Sequence, residues 1–309
     1  AIVLPDYYDN YVKLDYNLEF WRHGGGGVLK LFNVYFIRRW MYNDDNSTTA
    51  VWRYDGNYLA QGRIVAYDAA SAEALQTDYL DDMSKVIMID ALGADAGTGR
   101  TLSSVGGGVT IAAELGAAPS ATKGFSWRNV HDVLLDLAAA SKQAGTNLYF
   151  DMVPSFTSAG KIAWKFVTYT GQRGADHTSD SANPLHFGAA WGNLSGGYYE
   201  ADHSEEWNYV YGRGQGVEEY RYEGDASDTA RIGASKWNRR EEYCNASAGG
   251  EGASVAATTA DAEARLEQGR PKWRAGGTLL DTPQARYDVD FGFGDRVSVD
   301  IRHKQIDAE

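Results

Sequence analysis

The chain has 309 residues, of which 43% are hydrophobic and 13% aromatic, enough for one large domain or for two to three smaller ones. Its 29 Lys and Arg residues against 42 Asp and Glu residues give a net charge of −13, which argues against non-specific nucleic-acid binding by a basic surface. The single cysteine, Cys244, excludes an intrachain disulfide and a cysteine-based zinc site. No apolar run approaches the length of a bilayer span, so no membrane span is expected.

The first part of the chain, residues 1–71, is rich in Tyr, Trp, Phe, Val and Ile, broken by short segments of Gly, Asn and Asp. Short β-prone runs between turn-forming residues predict a small antiparallel sheet or barrel. Three arginines in these strands stand beside tryptophans, and we expect them to stack on rings and cover a sheet face more often than to bind an anion. They are Arg38, Arg39 and Arg53.

The centre, residues 72–170, predicts a mixed insert of helices and strands between the β-rich parts. Helical spacing of apolar residues indicates a helix over residues 72–92, with Gly93 as its C-terminal cap. Alternating apolar residues at 148–153 and 162–168, on either side of a turn, predict a hairpin.

A second central helix is the clearest in the sequence. Ser126 is its expected N-cap and Gly145 its end. Its apolar residues recur on one face, which predicts that all of them, the tryptophan included, are core. They are Trp127, Val130, Val133, Leu134, Leu137 and Ala138.

Residues 171–184 are polar and without periodicity, which predicts a linker. Residues 185–309 then predict a second β-rich, barrel-like domain, so that the fold class expected is mainly β with an α+β insert. The elements expected within this domain are a strand, turn and strand over 207–222, a strand over 232–245, a short helix at 259–269, and a hairpin-like strand pair over 287–301.

The stretch over residues 207–240 organises the second half. Its aromatic residues alternate like a strand and run into glycines at every second position. A dinucleotide-binding loop needs its third glycine where Val217 stands, and a helix after it, so the glycines instead indicate a turn or a close approach of two backbones. With a second glycine-containing run near the C-terminus, the structural-motif residues are Trp207, Tyr209, Tyr211, Gly212, Gly214, Gly216, Trp237, Asn238, Arg239, Phe291, Gly292, Gly294 and Asp295.

Acidic and histidine-containing clusters give no convincing catalytic or metal site. His203 with Glu205 and Glu206 resembles an acid–base or metal cluster, but acidic loops are usually solvated. We interpret a second polar group in the same way, as solvated loop residues: Asp176, His177 and Asp180.

Asp81 with Asp82, or Asp288 with Asp290, could be paired carboxylates for glycoside hydrolysis. Asp288 and Asp290 alternate with buried positions on a predicted strand, so an exposed face is their more ordinary explanation. Residues 94–101 lack the first glycine and the lysine of a phosphate loop. Cys244 has no histidine near it in sequence and is expected to be a small buried hydrophobe. We therefore expect no enzyme, no cofactor and no bound metal.

Seven segments, taken together in their order and spacing, resemble the siphovirus-type minor structural proteins that build the tail-tip hub of a phage. The resemblance runs from about residue 6 to the C-terminus. The segments are RIVAYDAASAEA (63–74), DDMSKVIMIDALG (81–93), FSWRNVHDVL (125–134), LYFD (148–151), WNYVYGRGQG (207–216), ASKWNRREEY (234–243) and TPQARYDVDFGFGDRVSV (282–299).

This resemblance implies two small β-barrels in pseudo-repeat with an α/β decoration, and a homotrimeric ring whose six barrels continue the tail tube. The implied partners are the distal tail protein ring, the tail tube, the tape measure protein and tail fibre proteins. DNA is expected to pass through the lumen without specific binding, and an acidic lining would keep it from adhering.

Two departures from the family and two alternatives stay open at this stage. Family members continue beyond the equivalent of residues 299–306, so the natural chain is expected to be longer, and the opening strand pair is only partly recognisable in residues 1–20. The alternatives are a carbohydrate-binding or glycan-cleaving tail module, and the hub of a contractile injection particle.

Overall fold

A computed structural model describes residues 2–5, 10–23, 29–43, 48–65, 74–97, 99–125, 127–214, 221–246, 254–302 and 304–308. These residues contain eighteen β-strands and five α-helices. The strands are β1 (Ile2–Pro5), β2 (Asn17–His23), β3 (Leu29–Asn43), β4 (Thr48–Tyr54), β5 (Ala74–Tyr79), β6 (Val109–Ile111), β7 (Ser120–Phe125), β8 (Leu148–Phe156), β9 (Ile162–Thr170), β10 (Asp176–His177), β11 (His186–Gly188), β12 (Leu194–Asp202), β13 (Tyr209–Arg213), β14 (Glu223–Ser227), β15 (Glu241–Asn245), β16 (Lys272–Leu279), β17 (Arg296–Ile301) and β18 (Lys304–Ala308). The helices are α1 (Tyr58–Gln61), α2 (Leu80–Leu92), α3 (Val130–Gln143), α4 (Thr229–Gly233) and α5 (Val255–Gln268).

The N-terminal strands form one antiparallel sheet in the order β1-β4-β3-β2. Ile37 and Val51 are buried on its inner face. The prediction of an antiparallel sheet is confirmed, but its described strands stay open as a half-barrel, with β1 and β2 as its two edges. The two small barrels stay a prediction.

The three arginines of this sheet stack on aromatic rings, as predicted. The Arg39 guanidinium lies 4.1 Å from the centre of the Trp52 ring, and the Arg38 guanidinium lies 5.1 Å from that of Tyr58. The Arg53 guanidinium lies 5.3 Å and 5.2 Å from the centres of the Phe20 and Tyr35 rings. Each arginine side chain thus covers an aromatic ring, while its guanidinium group stays partly in contact with water.

The central part places α2 and α3 against a sheet in the order β6-β9-β8, over the largest hydrophobic core of the described residues. The predicted hairpin is confirmed as β8 and β9. The helix predicted over residues 72–92 is wrong in its first half, because 74–79 is a strand that pairs with β7. Thr77 and Thr122 face each other across this pair, with 2.8 Å between their hydroxyl oxygens. The helix does end at Gly93, as predicted.

The second central helix begins at Val130, and the side chain of Asn129 accepts hydrogen bonds from the first backbone N–H groups. Ser126, the predicted cap, lies outside the described residues. The prediction that Trp127 is core is wrong, since it precedes the helix with a φ of 53° and is 57% exposed. The rest of the stripe does pack inward, and Gly145 follows the helix at a φ of 90°.

A buried ion cluster lies at the N-terminus of α2. The Lys85 side chain is 1% exposed, and its Nζ lies 2.9 Å from Asp82 Oδ1 and 3.3 Å from Asp81 Oδ2. Asp82 also accepts hydrogen bonds of 2.7 Å from the N–H groups of Leu115 and Gly116. The N–H of Ala118 donates to Asp81 Oδ1 at 2.9 Å. The cluster therefore ties the helix to the segment that leads into β7.

The C-terminal part contains a small sheet around β17, which pairs in parallel with β10 and β11 and antiparallel with β18. Residues 171–184 are largely irregular, and β10 joins them to this sheet. Of the predicted closing pair over 287–301, only Arg296–Ile301 is a strand. The preceding residues form turns, because Asp288 adopts a φ of 61° and Arg286 is held by Asp290 through two N–H groups at 2.9 Å.

A small α/β unit, residues 203–271, is inserted between β12 and β16. Its sheet has the order β14-β13-β15, and α5 packs against it and against α3. The predicted second strand of the 207–222 hairpin falls largely on residues 215–220, which lie outside the described part, and the strand that pairs antiparallel with β13, β14, begins at Glu223. The strand predicted over 232–245 is confined to β15, and the helix predicted at 259–269 begins earlier, at Val255, where Ser254 caps it.

We expect the change Lys85→Met to destabilise the protein by about 3–5 kcal/mol, because it leaves two buried carboxylates without their cation. Urea unfolding followed by tryptophan fluorescence measures this. Lys161→Met, at an exposed turn position, is the matched control and is expected to change the free energy of unfolding by less than about 0.5 kcal/mol. Equal effects of the two changes contradict the ion-cluster interpretation.

The cluster also predicts a pH dependence. Burial alone raises the pKa of Asp82, but hydrogen bonds from Lys85 and from the Leu115 and Gly116 N–H groups outweigh it, so the pKa is lowered from its ordinary value of 3.8. The contribution of the ionised Asp82 carboxylate to the free energy of unfolding is therefore complete above about pH 4, and it is lost as the pH falls through the pKa of the folded state. Urea midpoints measured between pH 2 and pH 6 are expected to show this acid loss, and Asp82→Asn is expected to remove that part of it.

Asp90, near the C-terminal end of α2, provides a control of opposite sign. Asp90 is exposed, but its partial removal from water and the neighbouring Asp95 raise its pKa, so ionisation of Asp90 opposes folding weakly at neutral pH. We expect Asp90→Asn to raise the urea midpoint at pH 7 and to leave it unchanged at pH 2. A uniform shift at both pH values contradicts this linkage.

Candidate assembly surface

Strands β12 and β16 form a two-stranded antiparallel ribbon that joins the C-terminal sheet to the inserted unit. At its base the N–H of Leu280 donates to the carbonyl of Asn193, and at its far end the N–H of Trp207 donates to the carbonyl of Gly269. The ribbon's residues are mostly exposed on both faces. A two-stranded ribbon exposed to water on both faces is only marginally stable, so contact with another surface would stabilise this one.

One face of the ribbon is aromatic. Tyr199 pairs with Ala275 and Ala201 pairs with Trp273, so these four side chains share a face. The rings of Tyr199 and Trp273 stack with 5.9 Å between their centres, and Trp273 is 60% exposed. The ribbon's aromatic face is therefore a flat apolar platform in contact with solvent.

The opposite face is charged. Glu200 pairs with Arg274, Asp202 pairs with Lys272, and Tyr198 covers Gly276. Both acidic residues are on β12 and both basic residues are on β16. The two strands therefore carry opposite charge.

The backbone of the ribbon is unpaired along its outer edges. In the described part of the chain, hydrogen bonds from the main chain of 196–202 and 272–279 run only between the two strands. Unpaired N–H and C=O groups on an edge form a template for another strand. This edge, with the two faces, is the surface that we define as the ribbon site.

A largely apolar cavity of about 760 Å³ lies at the base of the ribbon, between it, the N-terminal sheet and the C-terminal core. Two arginines at this cavity are held over aromatic rings, Arg22 at 3.9 Å from the ring centre of Tyr287 and Arg173 at 4.5 Å from that of Phe293. The apolar lining comes from several elements: Phe32, Tyr149, Phe187, Leu194, Leu279, Phe291, Val297 and Val299.

The sequence-predicted residues from Trp207 to Arg239 lie in the inserted unit. Trp207 is half-buried, donates from Nε1 to the Arg265 carbonyl at 2.9 Å, and has the Arg265 guanidinium 4.6 Å from its ring centre. Tyr209 and Tyr211 are half-exposed on β13, each with its hydroxyl donating to a carboxylate. The Arg239 guanidinium lies 4.1 Å from the Tyr209 ring centre.

Trp237, another of the structural-motif residues, is 90% exposed and therefore lies outside any core of the described residues. It lies in the irregular segment between α4 and β15, where the aromatic period that places Trp207 beside a sheet has ended. Its neighbour Asn238 is fixed by donating from Nδ2 to the Arg231 carbonyl at 2.8 Å.

Glycines of the central motif allow a close approach of backbones, as predicted. A Cβ added at Gly212 would lie 2.1 Å from the carbonyl oxygen of Gly224 and 2.9 Å from the Cβ of Ala262 on α5. At Gly214 it would lie 2.5 Å from the hydroxyl of Thr258. Helix α5 can therefore lie directly on the sheet. Gly216 is outside the described residues.

The residues from Phe291 to Asp295 lie elsewhere, at the apolar cavity. Phe291 packs edge-to-face on Phe187 with 5.0 Å between ring centres. Asp295 accepts hydrogen bonds of 2.6 Å from the N–H groups of Ala175 and Gly292, and Gly294 adopts a φ of 91°. The structure thus divides the predicted motif between two separate hydrophobic clusters.

The carboxylate pairs and polar clusters considered for chemistry are committed to structural contacts. Asp81 and Asp82 are buried around Lys85 and cannot meet a sugar. Glu206 is buried and accepts from His203 Nδ1 at 2.7 Å, with Arg231 Nη1 at 3.5 Å. The part of the chain that the structure describes brings no three His, Cys, Asp or Glu side chains together as a metal site.

Cys244 is half-buried beside α5, and this burial raises the pKa of its thiol to about 11. A thiol with so high a pKa is a poor nucleophile at neutral pH, which fits the prediction of a small packed hydrophobe. Within the described ranges, no helix is long and apolar enough to span a bilayer.

The ribbon site was missed at the level of sequence. The two strands come nearest in sequence at Asp202 and Lys272, and 69 residues lie between these two positions. No short-range turn signal therefore connects the strands. One signal was available: each strand contains a Gly-Gly pair, 196–197 and 276–277, and these pairs pack against each other, with Gly277 approaching the Cα of Gly197.

Comparison with known proteins gives no family. No protein-family model and no curated protein matches the chain. The solved structures to which the chain is similar include the tail protein from Neisseria meningitidis MC58 (15% identity, TM-score 0.43, 91% of this chain and 74% of that one), the 43 kDa tail protein of prophage MuSo2 from Shewanella oneidensis (10%, 0.43, 94% and 82%), and prophage tail protein gp18 from Listeria monocytogenes EGD-e (11%, 0.39, 96% and 78%). All three are tail proteins by name, but their TM-scores are below 0.5, so this likeness assigns no function by itself.

The two tryptophans of the motif now predict different outcomes. We expect Trp207→Ala to lower the free energy of unfolding by about 2–4 kcal/mol, because the ring packs on Gly269 and α5 and its N–H is hydrogen-bonded. Trp237→Ala is the matched control, and we expect a melting temperature within about 1 °C of the parent protein because the ring is almost fully exposed. Differential scanning calorimetry measures the melting temperatures of both variants. A larger loss of stability in Trp237→Ala than in Trp207→Ala contradicts the assignment of Trp207 as the packed residue and Trp237 as the exposed one.

Proposed function

We propose that the protein is a non-enzymatic structural subunit of a phage-type tail, and that it acts at the tail tip as a homotrimeric hub. In that position it joins the tail tube and distal tail ring to the receptor-binding or cell-penetration apparatus. The tape measure and tail fibre proteins are its further partners. Its place in the virion is the tail, reached after synthesis in the host cytoplasm.

The observation that carries this proposal is the ribbon site. Its aromatic face and charged face are both exposed, and the outer edges of its strands have no backbone partner in the described residues. A surface of this kind is suited to burial in an assembly, since exposed sheet edges and apolar platforms promote association. The segments that resemble tail-hub proteins give the proposal its class of assembly.

Two further observations agree with a structural role. The carboxylates that a hydrolase would need are engaged in ion pairs or hydrogen bonds, with Asp81 and Asp82 buried against Lys85. The net charge of −13 suits a ring through which DNA passes, because an acidic lining repels the phosphate backbone. The same reasoning holds for a hub in a contractile injection particle, which shares the proposed role.

A carbohydrate-binding tail module is the second candidate. The exposed stacked pair of Tyr199 and Trp273 is the observation that favours it. Sugar rings stack on aromatic platforms of this kind. A glycan module of this kind needs no self-association.

Light scattering on the purified chain tests the two candidates. A concentration series is expected to converge on three times the chain mass of 33.8 kDa. A single-chain mass at every concentration, combined with retention on cell-wall polysaccharide that Trp273→Ala abolishes, overturns the hub proposal and favours the glycan module.

A further inference from the structure

We infer that the occupant of the ribbon site is a second copy of this chain, joined head to tail, so that β12 of one copy pairs with β16 of the next. This inference rests on the proposed self-assembly and specifies its contact. The free part of β12 is residues 198–202, because the start of the strand contacts β11 and β17. The facing edge on the next copy is β16.

Charge decides between the possible pairings. Glu200 and Asp202 give the β12 edge a negative charge, whereas Lys272 and Arg274 give the β16 edge a positive charge. Pairing β12 with β12, or β16 with β16, would place like charges opposite each other, which is unfavourable on a sheet. Pairing β12 with β16 of another copy places each carboxylate between two cations.

The charges are available for such contacts. The Glu200 and Arg274 side chains are 50% and 57% exposed and lie 3.7 Å apart, a loose pair that leaves each group free to accept a second neighbour. Lys272, which meets Glu205, is 46% exposed. Repetition of the ribbon therefore gives alternating charge across one face.

Strand direction and the aromatic face agree with the same arrangement. The strands of the ribbon are antiparallel, so ribbons placed side by side in one orientation keep every neighbouring pair antiparallel. Tyr199 and Trp273 then continue the aromatic platform from copy to copy. Head-to-tail contacts of this type close into rings or extend into filaments, whereas an isologous contact stops at a dimer.

Cross-linking between two single-cysteine variants tests the inference. Both variants carry Cys244→Ala; one adds Ala201→Cys on β12 and the other Ala275→Cys on β16, both on the aromatic face. A short bismaleimide is expected to join the two variants when they are mixed, because diagonal neighbours across adjacent strands lie about 7–8 Å apart. Each variant alone is expected to stay uncross-linked.

The outcomes separate this inference from the proposed function. Cross-linking of one variant with itself shows an isologous contact and overturns the inference, as does a trimer by light scattering without cross-links in the mixture. In both cases self-assembly survives. A single-chain mass without cross-links removes both proposals.

Charge reversal gives an independent readout. Glu200→Lys with Asp202→Lys is expected to weaken self-association at least about tenfold, because it places like charges across the contact. Adding Lys272→Glu and Arg274→Glu to the same chain restores opposite charges and is expected to recover the parent association constant. The pairing is contradicted if the variant with all four substitutions does not recover the parent association constant although its circular dichroism spectrum is unchanged.

Discussion

The closed ion cluster of Lys85 with Asp81 and Asp82 is the contact on which the central arrangement depends. Its carboxylates bind the ammonium on one side and the backbone of residues 115–118 on the other. That backbone leads into β7, and β7 pairs with the strand that precedes α2. The cluster therefore links the N-terminal end of α2 to β7, which also pairs with β5 just before the helix. At this end of the helix the helix dipole also favours negative charge. Two carboxylates share one ammonium group, and backbone N–H groups supply their remaining hydrogen bonds, so removal of either set of partners leaves a buried charge unsatisfied.

The ordered centre also positions the ribbon. Helix α3, packed on α2, supports α5 through polar contacts such as Gln268 Nε2 to Asp136 Oδ1 at 2.7 Å and Lys142 Nζ to Glu267 Oε1 at 2.8 Å. Lys123 on β7 adds an ion pair of 2.7 Å with Asp261. The inserted unit thus rests on the central part at one end, while the ribbon connects it to the C-terminal core at the other. Both ends of the ribbon are held, and its middle is left exposed.

Local pattern predicted what depends on neighbouring residues. The hairpin of β8 and β9, the apolar stripe of α3 and the close approach at Gly212 all follow from spacing over a few residues. Residues 74–79 could not be assigned in this way, because their strand forms only against β7, more than forty residues later. The burial of Lys85 has no local signal either, because its carboxylate partners are held by the backbone of residues 115–118, about thirty residues later. Trp237 shows the converse, because it lies in an irregular segment between α4 and β15 and its side chain is exposed.

The pairing of Asp202 with Lys272 has a consequence for how this chain can change. Directly opposed residues of an antiparallel pair have Cα atoms about 4.5–5.5 Å apart, so the inserted unit leaves and re-enters the ribbon through one narrow gap. A tight turn of two residues could close the same gap. The register between β12 and β16 therefore does not depend on what lies between them, and related chains can exchange or lose the unit over residues 203–271 while keeping both strands of the ribbon.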